Sequence, residues 1–211
     1  MPKPPQMVLL ALTALAAGLL ISPAAEGRAR KAPCAKAKSK TLAQTRTVRV
    51  YEVDRGDDGT LYGCRKSTGR SIKLDTRSDD GFTTSDTYDR VQIFDNQVSW
   101  VSTVTERSCK ADCPPGVGTP KVRIAVRNLK TRAFRSVPAA PLGDAVVLST
   151  NGGVAWAAQG AAPGVVDIHA SARGEEDRVI DSGNIDAKTL RIEITILSWT
   201  RDGAERFVRL R

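Results

Sequence analysis

Val91-Gln-Ile-Phe-Asp-Asn-Gln-Val-Ser-Trp100, Val147-Leu-Ser-Thr-Asn-Gly-Gly-Val-Ala-Trp156 and Leu190-Arg-Ile-Glu-Ile-Thr-Ile-Leu-Ser-Trp199 are three versions of one pattern. An aliphatic residue stands nine positions before each tryptophan (Val91, Val147, Leu190) and another stands two before it (Val98, Val154, Leu197). A small residue, Ser99, Ala155 or Ser198, directly precedes it. Asn151-Gly152-Gly153 carries turn chemistry between the apolar ends, and the three blocks read as tryptophan-bearing strand hairpins. Tyr62, nine after Val53, reads as the same position in a degenerate first copy.

The segments that follow also match. Val122-Arg-Ile-Ala-Val-Arg127 through Arg135-Ser-Val137 runs parallel to Val165-Val-Asp-Ile-His-Ala170 through Arg178-Val-Ile180. Val122, Ile124 and Val126 share one face of a strand, with Lys121, Arg123, Ala125 and Arg127 on the other, the period of two that marks a half-buried strand. Further turn signals are Asp57-Asp58-Gly59, Asp79-Asp80-Gly81, Asp181-Ser182-Gly183 and Asp202-Gly203. No stretch sustains a helical period, and Gly160, Pro163 and Gly164 break the alanine-rich run that begins at Ala157. The chain therefore predicts an all-β fold of repeated units, each of about 40–45 residues and four short strands. Such a sheet has two apolar faces and hides them by stacking on its neighbours. A tryptophan suits that contact, because burying one removes about 150–250 Å² from water. The last copy, from Leu190 on, has room for only three strands.

The N-terminus has a different character. Lys3 precedes an apolar run from Met7 to Ile21, followed by Ser22-Pro23-Ala24-Ala25. A cation, a short apolar core and small residues at its exit are the parts of a secretory signal peptide. The run falls short of the roughly 20 residues a bilayer-spanning helix needs. We therefore read residues 1–24 as a signal peptide cleaved after Ala24, residues 25–46 as a basic arm, and residues 47–211 as one repeat domain with no membrane span after cleavage. The arm explains most of the net charge of +9: residues 25–49 hold eight Lys or Arg against one acid, Glu26. The remainder is nearly neutral and has few aromatic residues, 5% of the chain, so nucleic acid is not an expected partner.

All four cysteines, Cys34, Cys64, Cys109 and Cys113, lie in the exported part, where an even count reads as disulfides. Four cysteines allow three pairings. A local Cys109–Cys113 bridge would leave Cys34 to meet Cys64 and pin the arm to the first hairpin.

The Val-x-Trp strand, the turn, the Val-x-Ile-x-Val strand and the Arg-x-Val strand together resemble the blades of secreted bacterial β-propeller repeat proteins. Tryptophan-aspartate and periplasmic Tol-type propellers are the broader class. With Tyr62-Gly-Cys64 near its start and Trp199 near its end, the chain also resembles a group of secreted actinobacterial proteins over roughly residues 46–211. No Gly-His…Trp-Asp signature is present. The resemblance implies a propeller-like array of about four degenerate four-stranded blades, incomplete or open, and brings no catalytic residue with it.

No constellation of catalytic or metal-ligating residues emerges. His169 is the single histidine and sits at a strand end; there is no Gly-x-Ser-x-Gly elbow and no phosphate-cradling loop. The Cys-x-x-x-Cys spacing does not suit zinc, so no cofactor is expected. Asp54, Asp57 and Asp58 before Gly59, and Asp79-Asp80 before Gly81, read as hairpin turns, though two carboxylates flanking a cleft would serve a hydrolase of extracellular polymers. The expected function is a non-enzymatic scaffold or binding protein of the cell envelope or exterior with an envelope or extracellular partner. Its expected contact points are loop residues such as Asp57, Asp58 and the Cys109–Cys113 insertion.

Overall fold

The structure is a computed structural model that describes Cys34 and residues 36–79, 84–106, 118–173 and 175–210. Residues 1–24, most of the arm before Lys36, the Asp80-Gly81 turn and the Cys109–Cys113 segment lie outside the described residues. Among those described, the regular secondary structure is all strand, arranged in three antiparallel sheets, none of them closed. No described helix is long and apolar enough to cross a membrane.

The first sheet is an eight-stranded meander in chain order. Its strands are β1 (Ser39–Gln44), β2 (Val48–Arg55), β3 (Asp58–Arg65), β4 (Arg70–Asp79), β5 (Thr84–Phe94), β6 (Gln97–Glu106), β7 (Thr119–Asn128) and β8 (Phe134–Pro138). The second holds β9 (Pro141–Leu148), β10 (Val154–Gln159), β11 (Val166–Ser171) and β12 (Arg178–Gly183). The third holds β13 (Ile185–Glu193), β14 (Ile196–Arg201) and β15 (Ala204–Arg209), the three strands expected of the last copy. β1 lies within the stretch read as the basic arm, so part of that arm belongs to the first sheet.

The eight-stranded sheet narrows at its middle. Among the described residues β4 meets β5 through two residue pairs, Ser78 with Asp86 and Asp79 with Ser85. The two halves then face each other: Val48, Val50 and Leu61 of the first half enclose one core with Val98, Trp100 and Ala125 of the second. A second core joins Val101, Ile124 and Val126 to Val146, Leu148, Val154 and Trp156 of the second sheet. A third joins Ala155, Ala157, Ile168 and Ala170, on the other face of that sheet, to Ile185, Leu190, Leu197, Trp199 and Leu210. Four groups of strands, β1–β4, β5–β8, β9–β12 and β13–β15, are thus stacked face to face through three apolar layers. β7 is buried on both faces rather than one, since Ala125 lies opposite Trp100 in the neighbouring strand and its small side chain leaves room for the indole.

Each of the three indoles points the same way, at the strand group that precedes it in the chain. Two of them reach the last strand of that group. Trp100 Nε1 donates to Asp75 Oδ2 on β4 at 2.6 Å, and Trp199 Nε1 donates to Asp181 Oδ2 on β12 at 2.7 Å. In both cases the second carboxylate oxygen accepts the next backbone N–H, from Thr76 and Ser182 respectively. Asp181-Ser182-Gly183 is therefore strand and not the turn its composition suggested. Trp156 takes a different partner: its ring stacks on His169, directly opposite on β11, with centroids 5.1 Å apart. His169 Nδ1 in turn lies 3.1 Å from both carboxylate oxygens of Asp177.

Burial works against ionisation of Asp181, but hydrogen bonds from Trp199, Arg201 and the Ser182 amide outweigh it, so its pKa lies below the usual carboxylate range. A group depressed on folding stabilises the protein above its unfolded pKa of about 4, and that contribution fades as pH falls through the folded value. Asp181→Ala should cost roughly 1–3 kcal/mol near neutral pH by leaving a buried indole N–H unpaired. It should also flatten the acid limb of a stability-against-pH curve measured by denaturant melts. An unchanged acid limb would show that this carboxylate is not held below its ordinary value.

Among the described residues no strand precedes the first group, and a disulfide covers that face. Cys34 joins Cys64 with Cα atoms 5.8 Å apart, one of the pairings open to the sequence. Around it lie Tyr51, Tyr62 and Val53, with the Arg49 guanidinium 4.8 Å from the Tyr51 ring centre and Lys36 Nζ 4.5 Å from that of Tyr62. The aromatic on the second strand is Tyr51, whose side chain faces away from the second group as Trp100 faces away from the third. Tyr62, aligned with the tryptophans by spacing, stands on the third strand instead. It stacks on Tyr51 with centroids 5.5 Å apart.

Candidate anion-binding grooves

The strand pairing gathers alternate turns at each end of the stack. At one end lie the β1–β2, β3–β4, β5–β6 and β7–β8 turns of the first sheet. Residues 45–47, 65–70, 95–96 and 129–133 there carry Arg46, Arg65, Lys66, Arg70, Lys130 and Arg132 against a single acid, Asp95. These charges are spread over nearly 90 positions of sequence, in a domain whose total is almost balanced, and only the meander brings them together.

Between the β3–β4 and β7–β8 turns lies a groove of about 310 Å³ lined by Arg65, Arg70, Lys130 and Arg132, with Thr68 and Ser71 on its sides and no acidic residue. Its wall is fixed locally. Asn128 accepts the N–H of Lys130 and of Thr131 on its side-chain oxygen, and the N–H of Arg132 on its backbone carbonyl. That wrap drives Arg132 to a φ of 65°, a left-handed turn conformation that a non-glycine residue holds only when its surroundings enforce it. Leu129 is the anchor: it is buried, and its N–H donates to Asn96 O at 2.8 Å. It fits because Gly63 has no side chain; a Cβ there would stand 2.7 Å from Leu129 Cδ2.

A second cleft of about 240 Å³ lies on the other side of the β7–β8 turn, where Phe134 and Arg135 meet Asn151, Gly152 and Arg173 of the second sheet. Arg135 ties the sheets together. Its Nη1 donates to Ser171 Oγ at 2.8 Å and to Ala172 O at 3.2 Å; its Nη2 donates to Ser171 O at 3.1 Å and to Gly152 O. All these acceptors are neutral. Burial of the guanidinium accordingly pushes its pKa down from the ordinary arginine value, and its positive charge has no carboxylate partner in these bonds. Phe134 is half exposed beside it, 6.3 Å from Trp100 between ring centres. Arg127 sits over the Phe134 ring at 5.6 Å.

The sequence directed attention elsewhere. Asp57 and Asp58 are exposed on the tip of the β2–β3 hairpin, at the opposite end of the stack. Asp54 accepts the Gly56 N–H and lies 3.6 Å from Arg77. The most buried carboxylate of that region, Glu52, accepts the Tyr88 hydroxyl at 2.8 Å and pairs with Arg77 at 3.2 Å. Burial first, and that hydrogen bond next, raise the Tyr88 pKa far above its ordinary value. Glu52, Arg77 and Tyr88 come from β2, β4 and β5, so the cluster joins the halves of the first sheet. Among the described residues no group of three or more His, Cys, Asp or Glu is placed to hold a metal ion. The chain matches no protein-family model, no curated protein and no solved structure.

Proposed function

We propose that this protein is an exported, non-enzymatic binding module that holds anionic polymers of the cell envelope or exterior against its basic end. The observation that carries the reading is the groove of Arg65, Arg70, Lys130 and Arg132, four cations with no acid among its lining residues. Carboxylate and phosphate groups repeated along a polymer match such a surface better than a single small ion does, because the charges are spaced around a groove and face solvent. The Arg135–Arg173 cleft extends the same surface. Export is supported by the N-terminal signal pattern and by the buried Cys34–Cys64 disulfide, which is compatible with an oxidising compartment outside the cytoplasm. The four stacked groups, with indoles aimed one way, support an open propeller-like array as the scaffold.

The test is binding of the full chain to polyphosphate and to polygalacturonate, read by calorimetry at low and at physiological salt. Arg70→Ser with Arg132→Ser should weaken binding by roughly tenfold or more, and added salt should weaken it further as the screening length shrinks to about 8 Å. Neutralising Arg28, Arg30 and Lys31 separates the arm from the groove. Binding lost with the arm and untouched by the groove substitutions would overturn the assignment. Tighter binding to duplex DNA than to either polymer would overturn the envelope reading.

A further inference from the structure

We propose that two copies of the chain associate by pairing β15 with β15, antiparallel about Phe207, to make one continuous six-stranded sheet. Among the described residues β15 is hydrogen-bonded along one edge only, to β14, in a three-stranded sheet whose neighbour has four. The direction of its backbone groups follows from one bond. Leu210 N donates to Thr195 O at 2.8 Å, continuing the β14–β15 register. Alternation along an antiparallel strand therefore turns the N–H and C=O of Ala204, Arg206 and Val208 toward β14, and those of Glu205, Phe207 and Arg209 toward the open edge.

The side chains of the same three residues lie on the face of the sheet turned away from the third core, whereas Val208 and Leu210 pack into that core. Phe207 is 77% exposed there, and Ile196, diagonal to it on β14, is 45% exposed. The sequence Glu205-Arg-Phe207-Val-Arg209 is self-complementary about its centre. In an antiparallel pair centred on Phe207, Glu205 faces the partner's Arg209, Arg209 faces the partner's Glu205, and the two Phe207 rings meet. All three residue pairs are of the kind that exchanges two N–H···O bonds, so every outward-turned backbone group of Glu205, Phe207 and Arg209 finds a partner. Centring the pair on Arg206 instead sets two guanidinium groups against each other and Glu205 against the partner's phenylalanine. Charged residues on an edge ordinarily discourage strand addition; here they set like charges opposite each other in the registers centred on Glu205 and on Arg206. Glu205 already pairs with Arg191 on its own sheet at 2.5 Å, which fixes its carboxylate on the face where the partner's Arg209 arrives.

The experiment is sedimentation equilibrium of the full chain as purified, with Glu205→Arg, Arg209→Glu and the double exchange. The wild-type chain should show a concentration-dependent dimer. Each single substitution places two like-charge pairs in the interface and should raise the dissociation constant by at least about tenfold, and the double exchange should recover most of the loss. Circular dichroism confirms that each variant keeps its strands. A dimer insensitive to the single substitutions, or one not recovered by the exchange, would place the contact elsewhere. A monomer at all concentrations overturns the proposal. Amides of Glu205, Phe207 and Arg209 protected from hydrogen exchange in that monomer would show the edge covered from within the chain and likewise overturn it.

Discussion

Trp100→Ala should destabilise the protein by about 3–5 kcal/mol, the range for deleting a fully buried aromatic side chain. The indole is 1% exposed and sits between the two halves of the first sheet. Its loss opens a cavity against Val48, Val50 and Leu61, and it also removes the donor that Asp75 accepts at 2.6 Å. A domain of this size has about 5–15 kcal/mol to lose, so the midpoint of a urea or guanidinium melt should fall by a large fraction. Trp100→Phe keeps an aromatic ring in the core while losing the N–H and part of the ring volume, so its cost should be the smaller. A Trp100→Ala variant within about 1 kcal/mol of wild type would mean that the halves do not close on each other through this residue.

Removing the Cys34–Cys64 bridge should also destabilise the protein by several kcal/mol. The two residues are 30 apart in sequence, and releasing a loop of that length should cost about 3–4 kcal/mol in the chain-entropy picture. The loss should exceed that of an isolated surface disulfide, because the bridge also covers Tyr51 and holds the Cys34 carbonyl that Arg49 Nη1 contacts at 2.6 Å. Cys34→Ser with Cys64→Ser, melted in denaturant beside the oxidised protein, measures it. Dithiothreitol should shift the oxidised protein by far more than the double variant, in which only a Cys109–Cys113 bridge is left to reduce. Equal stability of all three would show that the first sheet holds its outer face without the bridge.

What could be read from the sequence depended on how local the signal was. The hairpins ending in Trp100, Trp156 and Trp199 were legible because apolar alternation and turn residues lie within ten positions of one another. The three strands expected after Leu190 match the three-stranded last sheet, and were legible by simple length. Tyr51 was missed and Tyr62 preferred because spacing alone does not say which strand of a hairpin faces the neighbouring group. Asp181-Ser182-Gly183 misled because the same small polar residues that favour a turn can also continue a strand when a distant indole supplies a hydrogen bond. The basic grooves were invisible for a third reason. Arg65 and Arg70 lie 60 or more positions from Lys130 and Arg132, and an almost neutral total conceals their convergence. The available hint was the choice of Lys and Arg, rather than Asp or Asn, in the β3–β4 and β7–β8 turns.

Within each sheet every strand pairs with the one before or after it in the chain, and each tryptophan looks back toward residues already synthesised. Assembly can therefore advance in a single direction. A newly emerged hairpin lays its indole on a platform that is already complete, and no early segment must wait for a distant later one before its own pairing closes. Such a sequence of short loop closures keeps the entropic cost of each step small, and gives a chain built wholly of strands a route to its folded state that long-range sheet pairing would deny it.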